Sequence, residues 1–515
     1  MDPQRPTTGL QRPPTRHERD SFYFGLPSRP KLVARSSLTP FHFDGDGWSS
    51  DRKTLTVVGD HPIVSKWDDE PSPLRNKILG ILAEQDVDWQ AIDILRIGYV
   101  NKEKPVIVSI SVSAPTSWET GNKVAQDCRE ALVQYGLDDV HCEVKESMLV
   151  NSSFAVLRQD YHPHSFNFHP YMYRLSDQLG TAIASRDKPD REGTKGLYLR
   201  RTGCEPGEVF ALTCRHVCYG ASEQDSQLPG KETRPGKSVI QLPEITTKTL
   251  VEDLDEWRQE LTKDLEKEES KGECYQDRER RSSKITAYQQ DIRETDRLLQ
   301  QFTLRNALDT RVFGHVAYAS EYIVRTSECL SDWCLIRLKA DAHERRLSEL
   351  SNRVYIGPPQ STLSLMAAVR IRNVEADGTL HIQGFLPASE LQNPKKKLIV
   401  GMRGRTSGLT FGLVNQVKSV TRRPITDGQT FISKECCIVG DRANREFTQH
   451  GDSGACVFDL NGRAVAMVTG GISRQQVSKG GDDYGLDRAM DVTYATPMEW
   501  LLEDMKACGL SMEIL

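Results

Sequence analysis

Between about residues 176 and 505 the chain repeats one pattern, a short apolar run closed by a turn signal. GTAIAS, GLYLRR, EVFALTCRHV, VFGHVAY, DWCLIRL, SLMAAVRI, LHIQGFL, LIVGM, FGLVNQV, CCIVG, ACVFDL and AVAMVTG follow one another with few helical stretches between them. Runs of this length, rich in Val, Ile, Leu and Tyr, read as strands. Many short strands without interleaved helices restrict such a region to a barrel or a sandwich, so the fold class is expected to be mainly β.

One segment breaks the pattern. From Thr249 to Gln300 the sequence is densely charged, yet Leu250, Leu254, Trp257, Leu261 and Leu265 keep a helical stripe, as do Ile285, Tyr288, Ile292 and Leu299. With Lys271 and Gly272 as the turn, residues 249–300 are expected to form a helical hairpin with one narrow apolar seam, inserted into the β region. It is either a solvated hairpin or a surface for a protein partner. Near the end, Met498, Trp500, Leu501, Leu502 and Met505 predict a C-terminal helix, followed by a tail over 506–515.

Upstream, residues 1–45 carry seven prolines before Phe41 and little periodicity, so they are expected to be a disordered Pro/Arg-rich arm. Residues 46–150 read as a small α+β domain, with helices near 79–82 and 120–135 and strands at 94–100, 105–112 and 140–145. Residues 151–175 read as a linker. His162, His164 and His169 fall within or beside YHPHSFNFHP, where the prolines and the lack of neighbouring cysteines or paired carboxylates argue against a metal site.

Lys plus Arg is 67 and Asp plus Glu is 72, a net charge of −5 over 515 residues. That near balance argues against a nucleic-acid-binding or polybasic membrane protein. No long uninterrupted apolar stretch occurs, and the first residues lack the apolar run of a signal peptide. The 12 cysteines are dispersed and form no CxxC, so they are expected to be reduced thiols in an intracellular, cytoplasmic protein.

Three short motifs carry the chemistry. His450-Gly451-Asp452-Ser453-Gly454-Ala455 precedes the apolar strand CVFDL. A serine hydroxyl needs an adjacent base to become a nucleophile, and the oxyanion it creates needs backbone N–H donors aimed at it. Glycines around Ser453 permit such a turn: Ser453 would attack, and the N–H groups of Gly451 and Ser453 would hold the oxyanion. Taken alone, the same residues also suit an ordinary β-turn. Far upstream, His216 follows the apolar strand in ALTCRHVC. Between the two, Asp332 opens the strand in SDWCLIRL, a place from which a carboxylate can orient an imidazole. Cys214 with Cys218, and Cys329 with Cys334, flank these positions, but without CxxC or a paired histidine they read as buried core thiols. No GxSxG elbow is present, which disfavours an α/β-hydrolase.

In the order His, Asp, Ser, these motifs resemble the trypsin-like serine peptidases of the chymotrypsin fold, over about residues 176–505. GRTSGLTFGLV, from Gly404 to Val414, adds a further match to the opening hairpin of the second barrel in intracellular members. The resemblance implies two six-stranded β-barrels with the active site between them. His216 would be base and then acid, Asp332 its orienter and Ser453 the acylated nucleophile. Departures from the family pattern are also visible. Ala455 replaces a second glycine, and Arg215 stands where a small residue is usual. Cys218 is displaced from the half-cystine position, and no new N-terminus for Asp452 is apparent. Phe447 occupies the place of the aspartate that selects basic side chains, so Arg or Lys preference is not implied; His450 and Thr469 are candidates beside the presumed pocket.

The expected function is serine endopeptidase activity on proteins or peptides, without cofactor or metal, with self-processing in the 151–175 linker. The alternative is a catalytically inactive trypsin-like scaffold that binds partners through its N-terminal domain or helical hairpin.

Overall fold

The architecture is that of a computed structural model describing residues 12–43, 51–150, 168–203, 208–219, 236–270, 278–343, 345–357, 371–391, 393, 397–424, 430–441, 445–474 and 489–515. Among the described residues the framework is mainly β: one sheet of thirteen strands, one of eight and two of two.

The N-terminal layer holds β1 (Lys31–Arg35), β2 (Lys53–Thr56), β3 (Trp89–Tyr99), β4 (Val106–Val112), β5 (His141–Glu146) and β6 (Met148–Val150). Its helices are α1 (Arg16–Ser21), α2 (Ile63–Asp68), α3 (Pro73–Glu84) and α4 (Trp118–Gln134). Their starts are marked in the sequence. Ser72 accepts from the N–H of Arg75 with Pro73 at the first helical position, and Ser117 accepts from the N–H of Thr120. β4 and β5 run parallel with α4 as the crossover between them. Leu74, Ile78, Val124 and Leu132 of the helices pack on Ile92, Ile94, Val108 and Ile110.

The arm expected to be disordered is folded between residues 12 and 43. β1 pairs antiparallel with β5, and Phe22, Tyr23 and Leu26 are buried. Too apolar-poor to form a core alone, this segment orders because β5 offers it an edge and Glu143 an acceptor for the Tyr23 hydroxyl at 2.9 Å.

The next sheet comprises β7 (Ala182–Ser185), β8 (Glu192–Thr194), β9 (Tyr198–Arg201), β10 (Val209–Thr213), β11 (Ser238–Gln241), β12 (Val312–Ala319), β15 (Cys334–Leu338) and β25 (Met512–Ile514), ordered β25-β9-β10-β15-β12-β11-β7-β8. β13 (Ile323–Val324) with β14 (Leu330–Ser331), and β16 (Arg353–Tyr355) with β17 (Thr379–His381), form the two small hairpins. In the C-terminal half lie β18 (Leu398–Gly404), β19 (Gly408–Val414), β20 (Ser419–Pro424), β21 (Thr430–Gly440), β22 (Cys456–Asp459), β23 (Ala464–Ser473) and β24 (Met490–Pro497). Six of these pair in a circuit, β18-β19-β21-β24-β23-β22 and back to β18. The strand expected at SLMAAVRI lies outside the described residues except for Ile371.

Where six strands per half were expected, one sheet therefore has eight and the other thirteen. The eight include β25, so the expected tail is partly a strand that pairs with β9. The thirteen arise because β20 pairs with β21 on one side and with β3 on the other, Val420 opposite Ile92 and Thr421 opposite Ala91. The α+β region expected at 46–150 is thus continuous with the C-terminal sheet. Its second face, Ala91, Leu95 and Ile97, packs against Cys437, Ile472, Val492 and Tyr494.

The remaining α-helices among the described residues are α5 (His169–Leu175), α6 (Arg215–Cys218), α7 (Glu244–Glu269), α8 (Arg278–Leu304), α9 (Ala388–Leu391) and α10 (Met498–Ala507). α7 and α8 are the expected hairpin, longer at both ends; Lys271 and Gly272 lie outside the described residues. Its base is buried, with Leu250, Leu254, Leu298 and Phe302 against Tyr171 and Leu242. α5 occupies the end of the expected linker, whose residues 151–167, with His162 and His164, lie outside the described residues. Among the described residues no helix is long and apolar enough to cross a membrane.

Buried Asp93 on β3 joins the two halves. It accepts from the Ser419 hydroxyl at 2.6 Å and the Tyr494 hydroxyl at 2.8 Å, and burial raises its pKa. Asp93→Leu is expected to lower unfolding stability by about 1–3 kcal/mol, whereas Asp93→Asn keeps an acceptor. Because the folded-state pKa is raised, the Asp93 contribution is present at low pH and lost as pH rises through that value. Denaturant unfolding from pH 4 to pH 8 should show the unsubstituted protein losing stability relative to Asp93→Asn.

Candidate active site

Strand register brings the histidine and aspartate motifs together. β10 pairs antiparallel with β15, Leu212 opposite Leu335 and Thr213 opposite Cys334. Continuing that register sets Asp332 beside the start of α6, where the Arg215 N–H donates to the Asp332 carbonyl at 3.3 Å. One oxygen of the Asp332 carboxylate accepts from the His216 backbone N–H at 3.0 Å, and the other lies 2.6 Å from His216 Nδ1. Two bonds from one carboxylate fix both the position and the ring orientation of the imidazole.

The aspartate is itself anchored from the far end of the chain. Asp504 on α10 accepts from the Ser331 hydroxyl and, at 2.7 Å, from the Trp333 indole N–H, the two neighbours of Asp332. Arg215, unexpected before the histidine, is fully buried and donates through Nε to the Ser320 carbonyl at 2.9 Å. Ser320 in turn bonds Trp333, so Arg215 ties the histidine helix to the aspartate turn.

Ser453 sits in the turn before β22. The Thr194 N–H donates to the Ser453 carbonyl at 2.8 Å, the Thr194 hydroxyl to the Gly451 carbonyl at 2.9 Å, and the Thr213 hydroxyl to the Thr194 carbonyl at 2.9 Å. β8 therefore bridges the serine turn to the strand that leads to His216. Gly454 has φ +92°, and a Cβ there would stand 2.3 Å from the Thr213 hydroxyl. Only glycine allows this approach. Ala455, in place of the second glycine, packs in the core of the C-terminal sheet and donates its N–H to the Asp452 carbonyl at 3.0 Å.

Asp452 has a full set of partners within the chain. Its carboxylate accepts from the Thr406 N–H at 2.9 Å, the Ser407 N–H at 3.2 Å, the Ser407 hydroxyl at 2.5 Å and the Gln449 N–H at 2.9 Å. The GRTSG loop thus shapes the serine turn without a free amine. Gly404 is required because a Cβ would fall 2.2 Å from the Asp452 carboxylate.

Behind this loop lies a buried ion pair between Arg405 and Glu192, both fully buried. Thr246, in the first turn of α7, gives Glu192 its N–H at 2.9 Å and its hydroxyl at 2.5 Å, and receives Arg405 Nε at 3.1 Å. Arg405 also donates to the Thr406 hydroxyl at 3.0 Å, which donates to the His450 carbonyl at 2.6 Å. The inserted hairpin therefore begins in the network that positions Gly451.

All three expected residues are sealed from solvent, with exposures of 2% for His216, 1% for Asp332 and 0% for Ser453. The Ser453 hydroxyl donates to the Thr469 carbonyl at 3.4 Å, and His216 Nε2 is buried without a hydrogen bond. The structure thus pairs His216 with Asp332 and brings the Ser453 turn against the same strand end, without the serine–histidine hydrogen bond. Phe447 is buried, and the Thr448 hydroxyl contacts that of Thr493 at 2.6 Å.

Cys214 Sγ, His216 and Asp332 place ligand-type atoms within 4.8 Å of one another. The thiol donates to the Val468 carbonyl at 3.1 Å, and burial pushes its pKa well above the ordinary value. Cys218, Cys329 and Cys334 are free and buried.

Sequence reasoning missed Thr194, Glu192, Arg405 and the Thr406–Ser407 pair. The last had a signal: two hydroxyl residues between glycines readily present successive N–H groups to an anion.

Searches with family models and among curated proteins return no match to this chain.

Arg405→Leu is expected to lower stability by about 3–5 kcal/mol in denaturant titration, because Glu192 is left buried and unpaired. Asp452→Leu is expected to lower stability by about 1–3 kcal/mol or more in the same titration, because the buried N–H groups of Thr406 and Gln449 lose their acceptor.

Proposed function

We propose that this chain is a serine endopeptidase of the trypsin-like kind, its two β halves corresponding to the two six-stranded barrels of that family. The observation that carries the reading is the Asp332 carboxylate bonded to both the backbone N–H and Nδ1 of His216, beside a glycine-bounded serine turn. An aspartate so placed keeps the proton on Nδ1 and leaves Nε2 basic.

Turning about its Cα–Cβ bond, the Ser453 hydroxyl exchanges the Thr469 carbonyl for His216 Nε2. As Oγ attacks a peptide carbonyl carbon, its proton passes to Nε2, and the N–H groups of Gly451 and Ser453 receive the oxyanion. Asp332 stabilises the imidazolium. When the C–N bond breaks, Nε2 returns the proton to the leaving amine, and water then releases the acyl group by the same steps in reverse. Proteins or peptides are the substrates, and the chain itself is one through its 151–175 segment. With Phe447 at the position that holds a carboxylate in trypsins, nothing there recruits an Arg or Lys side chain.

A second reading, an inactive scaffold, is favoured by one observation: His216 Nε2 is buried and makes no hydrogen bond. Fluorophosphonate labelling of the full chain separates the two. Labelling abolished by Ser453→Ala, together with peptide hydrolysis reduced by roughly 10⁴–10⁶ in Ser453→Ala and His216→Ala, supports the peptidase. An intact mass that shortens in the unsubstituted protein but not in Ser453→Ala supports self-processing. A folded protein that never labels points to the scaffold.

A further inference from the structure

β23 begins its outward course beside the nucleophile. The Thr469 carbonyl accepts from Ser453 Oγ, and the strand then continues away to Ser473. On one side β23 pairs with β24 from Ala466 to Ser473. On the other, β22 accompanies it only as far as Met467. From Gly470 onward this second edge has the geometry to accept an extended peptide by backbone hydrogen bonding.

In this protein the edge is taken. β6 pairs with it antiparallel, Val150 opposite Gly471, Leu149 opposite Ile472 and Met148 opposite Ser473. The two backbones are close enough that a Cβ on Gly470 would stand 2.5 Å from the Val150 carbonyl oxygen.

The polarity of β6 is the informative feature. Antiparallel to β23, it runs from Met148, far from the nucleophile, to Val150, near Thr469. A nucleophile that cleaves a peptide attacks the carbonyl at the C-terminal end of the acyl segment, so a substrate's acyl half must approach in this direction. The tether behind β6 is short: β5 ends at Glu146, and the Ser147 N–H donates to the Val112 carbonyl at 3.1 Å. Leu149 packs into the core shared by the N-terminal layer and the C-terminal sheet.

We infer that β6 is an occupant in cis of the peptide-binding edge of the Ser453 site. The N-terminal layer holds that site filled, and a substrate peptide must displace Met148–Val150 to be cleaved. The inference rests on the peptidase reading and adds the regulation of the same site.

The test uses the full chain, unsubstituted and as Val150→Pro and Leu149→Asp. Proline removes a donor and the strand geometry; aspartate removes the apolar anchor. Two quantities are measured: amide exchange at residues 471–473 against 492–495, and the rate of Ser453 labelling by a fluorophosphonate. Both variants should exchange faster at 471–473, keep protection at 492–495, and label about tenfold faster or more, as expected when an occupied state is depopulated. A synthetic peptide of residues 143–150 should slow them again. Variants with an opened edge that label at the unsubstituted rate would overturn the inference. If no form labels although exchange shows the edge open, the nucleophile assignment has failed, and the inference with it. Loss of protection at 492–495 identifies a substitution that has disturbed the sheet, in which case the other one decides.

Discussion

The pairing of β20 with β3 is the contact on which the arrangement depends. Through it the N-terminal layer and the C-terminal circuit become one sheet, and Asp93, Ser419 and Tyr494 close a buried hydrogen-bond bridge at the joint. Because β3, β4 and β5 are hydrogen-bonded in series, the position of β5 is set relative to β23. β6, which starts two residues after the end of β5, is thereby carried onto the edge of β23. The same joint leaves β4 covered on both faces, which is why Val106–Val112 is buried throughout.

The candidate site is a second case of distant segments held by few bonds. Asp332 is oriented from α10 through Ser331 and Trp333, His216 through Arg215 and Ser320, and the Ser453 turn through Asp452 and the Thr406–Ser407 loop. Each support is a buried polar group with a partner, and in a low-dielectric interior a polar group left without one is costly. The Arg405–Glu192 pair extends this to α7, so the charged hairpin is rooted in the turn that carries Gly451. Asp452 takes four donors from its own chain, which hold its carboxylate where it lies buried beneath the Ser453 turn.

Much of this was legible in the sequence because it depends on local signals. Strands such as β10, β15, β18 and β19 have apolar runs bounded by turn residues, and α4 carries both a serine cap and a helical stripe. The histidine, aspartate and serine motifs each lie at a strand end, where short-range pattern is strong. The N-terminal arm was misread for a physical reason. Composition measures whether a segment can bury itself, and residues 12–43 instead bury Phe22, Tyr23 and Leu26 against a sheet edge supplied by residues far along the chain. A hint of the two-sided burial of β3 and β4 lay in their nearly continuous apolar character. Asp93, Ser109 and Ser111 obscured it, because polar residues on a buried face are indistinguishable by pattern from residues facing water.

By itself the sequence determined the mainly β character, the inserted hairpin and the three residue types offered for nucleophilic chemistry, since periodicity, turn chemistry and side-chain functional groups are properties of short stretches. Only the tertiary structure decided which strands share a sheet, that the Asp332 carboxylate holds both the backbone and the ring of His216, that Asp452 is satisfied from within, and that β6 lies on the edge beside Thr469. These are pairings between residues tens to hundreds of positions apart. Backbone hydrogen bonding is the same for every residue pair, so only the packing of the whole chain selects which edges meet.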